Sequence, residues 1–297
     1  MISFKQVTSL VEAHEIWQIL SPGISVFDSW DFRHAGFAAT SSELVFLVGY
    51  EDETMVGVLP LQKKPDGSWE FFGGAIMEDN GVFVKTGYES HIPEFYNLIK
   101  NEPHELSYIR GTDSYTQTLT NIEPKFILDL TKYSNFEDYI RQAFSKNSRG
   151  KLKNKVAEID ELGVKIVENR FEDIEKLIEM NIVTFSNRGE VSSFLIPGRK
   201  DFYTRLTTLA NCKIHVLSYV FQDKVVGVCL SLSFGQTYLC LNAGTNMETV
   251  PNLGTYVYYT NIRYAFNLGV NIFDSCAGSF NWKERFHLDA IPQYRFS

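Results

Sequence analysis

Two stretches of this chain have the residue types to hold an anion. In the first, Thr249-Val250-Pro251-Asn252-Leu253-Gly254-Thr255 leads from a strand-like pattern into a helical one. The first N–H groups of a helix lack partners within it and sit at the positive end of its dipole. Glycine at 254 lets a phosphate come close. The same residues also suit an ordinary helix start punctuated by proline. In the second, Lys146, Arg149, Lys151, Lys153 and Lys155 form a basic run with no acid among them. At helical spacing 146, 149 and 153 share one side, while Leu152, Val156 and Ile159 form the buried stripe. That side suits a phosphorylated ligand or simply water.

Carboxylates supply a different chemistry. Glu78-Asp79-Asn80-Gly81 would repel phosphate, but Asp79 and Asn80 can hydrogen-bond a polar ligand. Asp-Asn-Gly is also good chemistry for a solvated turn. Asp274 ends an apolar strand-like run. It can accept a proton if partial burial raises its pKa, or it can hold the Ser275–Gly278 turn. Histidines 14, 34, 91, 104, 215 and 287 show no HxxxH or HxH spacing, so no metal site is expected. Cys212, Cys229, Cys240 and Cys276 form no CxxC pair, and buried free thiols are expected. No histidine is paired in sequence with Cys276, and no covalent step through that cysteine is expected. A G-x-S-x-G elbow, a P-loop and a strand-linked G-x-G-x-x-G are all missing.

The elements that must position these residues occur twice. Shifted by 170 positions, residues 46–78 lie over 216–248 without a gap. Val56-Gly57-Val58 meets Val226-Gly227-Val228, Gly74 meets Gly244, and Met77-Glu78 meets Met247-Glu248. Each copy reads as three strands, a helix and a further strand. Strands are predicted over 44–50, 55–62, 69–72, 106–110 and 126–130. In the second half they fall over 164–167, 214–221, 225–234, 237–242 and 270–274. Helices are predicted over 8–20, 92–100, 135–162 with a break near 148–150, 171–184, 201–210 and 255–267. Gly163 is a C-cap. Residues 27–30 read as a loop. The copies part after Met-Glu, where one continues into Asp79-Asn80-Gly81 and the other into Pro251-Asn252-Leu253-Gly254.

The 297 residues include 28 basic and 36 acidic side chains, for a net charge of −8. That disfavours general binding to nucleic acid or acidic membranes. No apolar run reaches the roughly 20 residues of a membrane span. Met1–Gln6 shows no basic-then-apolar leader pattern, and a cytoplasmic location is expected.

The repeated unit resembles the GNAT acyltransferase core. Its order resembles the tandem-GNAT, FemAB-like and CelD/BioF-like acetyltransferases. Phe27-Asp28-Ser29-Trp30, Phe126–Leu130 followed by the helix at 145–156, and Ser193-Phe194-Leu195 with Asp201-Phe202-Tyr203 carry the resemblance. So does the C-terminal Phe273-Asp274 … Gly278 … Trp282-Lys283-Glu284-Arg285-Phe286. The resemblance implies an α/β fold of two GNAT-like units, residues 1–125 and 126–297, with mixed sheets flanked by helices. It implies transfer of an acyl group from acyl-CoA to an amine of a small molecule, amino sugar or cell-envelope precursor, without a metal.

The same resemblance implies site roles. Asp274 would take the amine proton, and Lys283 would stabilise the tetrahedral intermediate or a phosphate. Gly244, Asn252, Leu253, Gly254 and Thr255 would hold the CoA side. Trp30, Asp79, Asn80 and Arg149 would hold the acceptor side. Two departures matter. Trp282 replaces the family's tyrosine, so the acid for the leaving thiolate must be another group such as Tyr256 or water. The glycine-rich phosphate loop is reduced to Gly254. Two alternatives follow: a Fem-type ligase using aminoacyl-tRNA, or a binding module that lost the chemistry.

Overall fold

The computed structural model describes residues 2–278 and 282–297. The chain divides into two compact units, Met1–Lys125 with Ile291–Ser297, and Phe126–Ala290. Among the described residues no helix is long and apolar enough to cross a membrane.

The first unit opens with β1 (Ile2–Val7), α1 (Leu10–Leu20) and α2 (Trp30–Ala38). The hairpin β2 (Glu43–Glu51) and β3 (Thr54–Lys63) follows, then β4 (Trp69–Phe71) and the short β5 (Phe83–Val84). Next come α3 (Ile92–Asn97) and β6 (His104–Arg110). Strand order within the unit is β1-β2-β3-β4-β6, with β5 on β3. Ser9 and Ser29 each accept a first-turn N–H and so start α1 and α2. One face buries Trp17, Phe46 and Phe72 under α1 and α2. The other buries Leu59, Phe95 and Leu106 under α3.

The strand β7 (Thr120–Asp129) leads into α4 (Phe136–Ala143) and α5 (Lys146–Glu161). Then follow β8 (Lys165–Glu168), α6 (Ile174–Ser186) and α7 (Arg199–Leu206). The second copy is β9 (Lys213–Phe221), β10 (Lys224–Phe234), β11 (Thr237–Thr245), α8 (Leu253–Leu268) and β12 (Ile272–Ala277). Order in this unit is β12-β11-β10-β9-β8. The α4, α5 and α8 side carries a core that includes Tyr139, Leu253, Ile262 and Phe273. Finally β13 (Asp289–Phe296) pairs β6, with Gln293 opposite Arg110, so the last residues belong to the first unit.

The 170-residue offset is kept in the strand pairing. Glu43 pairs Lys63 and Lys213 pairs Ser233; Gly49 pairs Gly57 and Tyr219 pairs Gly227. The same irregularity follows in each hairpin, leaving Val56 and Val226 without a partner in the register. The helix over 135–162 does break, but at Phe144-Ser145 rather than at 148–150. Ser145 caps α5 by accepting from Ser148 N, and Gly150 lies inside the helix. Gly163 follows with φ +80°, as a C-cap glycine does. Residues 27–30 are not a plain loop, because α2 starts at Trp30.

Candidate active site

The third strand of the second copy builds the site. Thr237, Tyr238 and Leu239 on β11 pair in parallel with Ile272, Phe273 and Asp274 on β12. Among the described residues these strands pair no further, although β11 runs on to Thr245 and β12 to Ala277. The result is a fork between two parallel strands. Beyond it, backbone amides on the β12-facing edge of β11 are open to pairing by a ligand. On its other edge β11 bulges against β10, where Leu230 pairs Asn242 and Ser231 pairs Cys240, leaving Leu241 extra. Asp274 sits at the last paired position and is buried. Its Oδ1 accepts from Cys276 N at 2.9 Å, so it also holds the turn that follows. Cys276 adopts φ +59°, a conformation that bends β12 away from regular strand geometry.

Lys283 is buried rather than a surface side chain. Its Nζ donates to Cys276 O and Ala277 O, each at 2.9 Å, and lies 5.3 Å from the Phe126 ring centre. It therefore ties down the end of β12. Trp282 packs edge-on against Tyr258, with ring centres 4.3 Å apart. Tyr256 donates to Asp160 Oδ1 on α5 at 2.6 Å and does not face the fork. Two tyrosines missed in the sequence are better placed. Tyr258, on α8, has a buried hydroxyl with no hydrogen-bond partner among the described residues. Burial raises its pKa well above normal. Tyr203, on α7, accepts from Asn242 Nδ2 on β11 at 3.0 Å. Burial pushes Tyr203 up to about 12, against the Asn242 amide, so it keeps its proton at neutral pH. In the sequence Tyr258 stood only in an apolar helical face, whereas Tyr203 stood in the Asp201-Phe202-Tyr203 stretch that carries the family resemblance.

At the start of α8, Leu253 N–H donates to Val250 O and Thr255 N–H to Asn252 O, which leaves the Gly254 N–H for a phosphate. Asn252 caps it with φ +65° and makes no side-chain cap bond. A Cβ at Gly254 would meet only Met247 Sδ, at 3.6 Å. Thr255 is half-buried and donates its N–H to Asn252 O. Leu253 is different: its side chain is fully buried in the core, so only its backbone faces the turn. Gly244 is a packing residue. A Cβ there would lie 2.7 Å from the Leu177 carbonyl of α6, which crosses β11 at that point. Beside the end of β11 is a cavity of about 400 Å3, lined by Met180, Val183, Arg188, Asn246 and Met247 among others.

Of the four residues expected on the acceptor side, Trp30, Asp79 and Asn80 fall in the first unit and Arg149 in the second. Trp30 packs against Phe72 and stacks with the imidazoles of His14 and His34. Asp79 accepts from Lys125 Nζ at 2.6 Å, and Arg110 lies 3.6 Å away. Burial pushes its pKa up, but Lys125 and Arg110 more than offset this and hold it down at about 2. Asn80 Oδ1 accepts from Arg33, and its Nδ2 donates to Met77 O and Ser107 O. Its amide group is fully engaged within the fold. Arg149, on α5, donates to Arg141 O at the end of α4 and so caps that helix.

Residues 146–284 match the family model described as acetyltransferase (GNAT) domain. The chain has the tandem-GNAT, Fem-like acyltransferase fold. Among solved structures it is similar to FemX, with 11% identity, TM-score 0.63, and 98% of this chain and 96% of that chain covered. It is similar to a tandem GNAT protein from the clavulanic acid biosynthesis pathway, solved without AcCoA (11% identity, TM-score 0.59, 99% and 97% covered). It is also similar to L-PGS from Bacillus licheniformis (9% identity, TM-score 0.57, 90% of each chain covered). A search of curated protein sequences gave no match.

Proposed function

We propose that the second unit binds an acyl-CoA in the β11–β12 fork and passes the acyl group to an amine. The fork carries this reading. An extended pantetheine arm can pair its amides with the open edge of β11, and the pyrophosphate can reach the first turn of α8. The amine attacks the thioester carbonyl and forms the C–N bond. The tetrahedral intermediate collapses, the C–S bond breaks, and the thiolate takes a proton. Asp274 receives the amine proton directly or through water. Tyr203 supplies the proton to sulfur, because its oxygen is already accepting from Asn242 and its own hydrogen is left to donate. Lys283 is a positioning residue that fixes the end of β12 beside these groups. The acceptor is an amine of a small molecule, amino sugar or cell-envelope precursor, handled in the cytoplasm.

The exposed basic side chains of α5, Lys146, Lys151 and Lys153, favour a second reading, an aminoacyl group delivered on tRNA. A thermal-shift panel with CoA, acetyl-CoA, longer acyl-CoAs and aminoacyl-tRNA separates the two. A ligand at 100 times its dissociation constant adds about 2.7 kcal/mol of stability. A response to acyl-CoA supports the first reading, and a response to aminoacyl-tRNA alone replaces it with the second. No response to any of them argues for a binding module without this chemistry.

A further inference from the structure

Cys229 on β10 and Cys240 on β11 lie outside the proposed transfer steps, yet their sulfurs are 3.5 Å apart. In the strand register Cys229 pairs Ala243 and Cys240 pairs Ser231, so the two are diagonal neighbours across the bulge at Leu241. Cys229 belongs to the α8-side core, and Cys240 packs against that core from a half-buried position. Cys240 is thus the less buried residue of the two. Ser231 Oγ, 3.6 Å from Cys229 Sγ, gives the pair a further polar neighbour.

We propose that Cys229 and Cys240 are a peroxide-sensitive thiol pair that closes to an intrachain disulfide. The pair first loses one proton. The contact with Cys240 holds the Cys229 thiol below its usual range, and the contact with Cys229 together with burial pushes Cys240 up, so the charge rests mainly on Cys229 and the remaining proton on Cys240. The proton passes from Cys240 to Cys229 across the 3.5 Å contact, and the Cys240 thiolate so formed attacks a peroxide oxygen. An S–O bond forms, the O–O bond breaks, and hydroxide leaves to become water. Cys229 then attacks the Cys240 sulfenic sulfur. The S–S bond forms, the S–O bond breaks, and a second water leaves. In balance, two thiols and one hydrogen peroxide give one disulfide and two waters. The cross-link ties β10 to β11 at the bulge. It also draws Cys240 Sγ toward β10, on the strand where the Cys240 carbonyl meets the Cys276 thiol at 3.8 Å.

The test needs no ligand or activity, so it stands apart from the acyl-transfer reading. Folded protein is treated with hydrogen peroxide, denatured, alkylated and mapped by mass spectrometry. The expected result is that alkylatable thiols fall from the four free cysteines to two, with one peptide pair joining Cys229 to Cys240. Dithiothreitol should restore all of them. Cys229→Ser should abolish the link and leave a Cys240 sulfenic acid that dimedone traps. Four surviving thiols, a link through Cys212 or Cys276, or a Cys240 sulfinic acid without a link would each overturn the proposal. The wild-type map decides by itself if the variant does not fold.

Discussion

The two units start from one hairpin and end differently. β2–β3 and β9–β10 keep the same register at an offset of 170 and share the same bulge position. The third strands then diverge. β4 stops at Phe71, and the chain turns at Gly73 and Gly74 with φ +98° and +84°. It returns so that Asn80 bridges Ile109 on β6. β11 instead continues to Thr245 and leaves a fork beside β12. In the first unit the corresponding place is filled by polar groups that satisfy one another. Arg33, fully buried, donates to Phe27 O, Phe72 O, Glu78 O and Asn80 Oδ1. Arg110 and Lys125 neutralise Asp28 and Asp79. On the proposed reading, the segment after the third strand, and much less the hairpin, decides whether a unit takes a ligand.

The largest effect expected is at the plug of the first unit. Arg33→Met removes all four bonds and strands the buried groups that accepted them. It should cost about 3–5 kcal/mol, the range for breaking a buried charged network, read by urea denaturation. A loss below about 1 kcal/mol would mean that water replaces the arginine and the unit is not closed.

Gly244→Ala should cost about 1–3 kcal/mol, because the new carbon meets the backbone of α6. The same denaturation measurement, set beside acetyl-CoA affinity, separates packing from ligand contact. Unchanged stability with lost affinity would return Gly244 to the ligand path.

Acid should weaken the plug and leave the fork's neutral groups unaffected. Asp79 has a folded pKa held down at about 2. Its contribution is complete above about pH 4, the ordinary carboxylate value, and is lost as pH falls from there toward about 2. Asp79→Asn should flatten the stability profile in that window. An unchanged acid slope in the variant would remove Asp79 from the account.

The smallest structural effect belongs to Tyr203→Phe, about 1 kcal/mol or less for one hydrogen bond. Its rate effect should be larger, with acetyl-CoA turnover falling about 100-fold if the hydroxyl protonates the leaving thiolate. A thioester with a more acidic leaving thiol should recover most of that loss. Equal losses with both thioesters would show a structural role.

The hairpins, α8 and the offset of 170 were legible because apolar alternation and turn residues fix them locally. β1 and β13 were missed because their apolar residues are interrupted by Lys5 and Gln6, and by Pro292, Gln293 and Arg295. α2 was missed because Arg33 and His34 hide its buried side. The site was less legible than the fold. Asp79-Asn80-Gly81 has the composition of a solvated turn, yet Asp79 and Asn80 are buried by partners 46 and 47 residues away. Gly74 and Gly244 align in sequence, but one sits in a turn at φ +84° and the other in a strand under α6. The copies part at Phe71 and Leu241, before the Met-Glu pair suggests it. Trp282 signalled a lost acid, and Tyr203 stood in a stretch that carried the resemblance, but nothing local gave it a role as acid, because Asn242 positions it from 39 residues away.

Hydrogen exchange with and without saturating acetyl-CoA tests the central claim, that the fork of the second unit is the donor site. The account predicts slowed exchange at residues 240–245, 253–256 and 275–277, with residues 72–81 unchanged. Slowed exchange confined to 72–81, or binding that leaves the β11–β12 fork untouched, would contradict it.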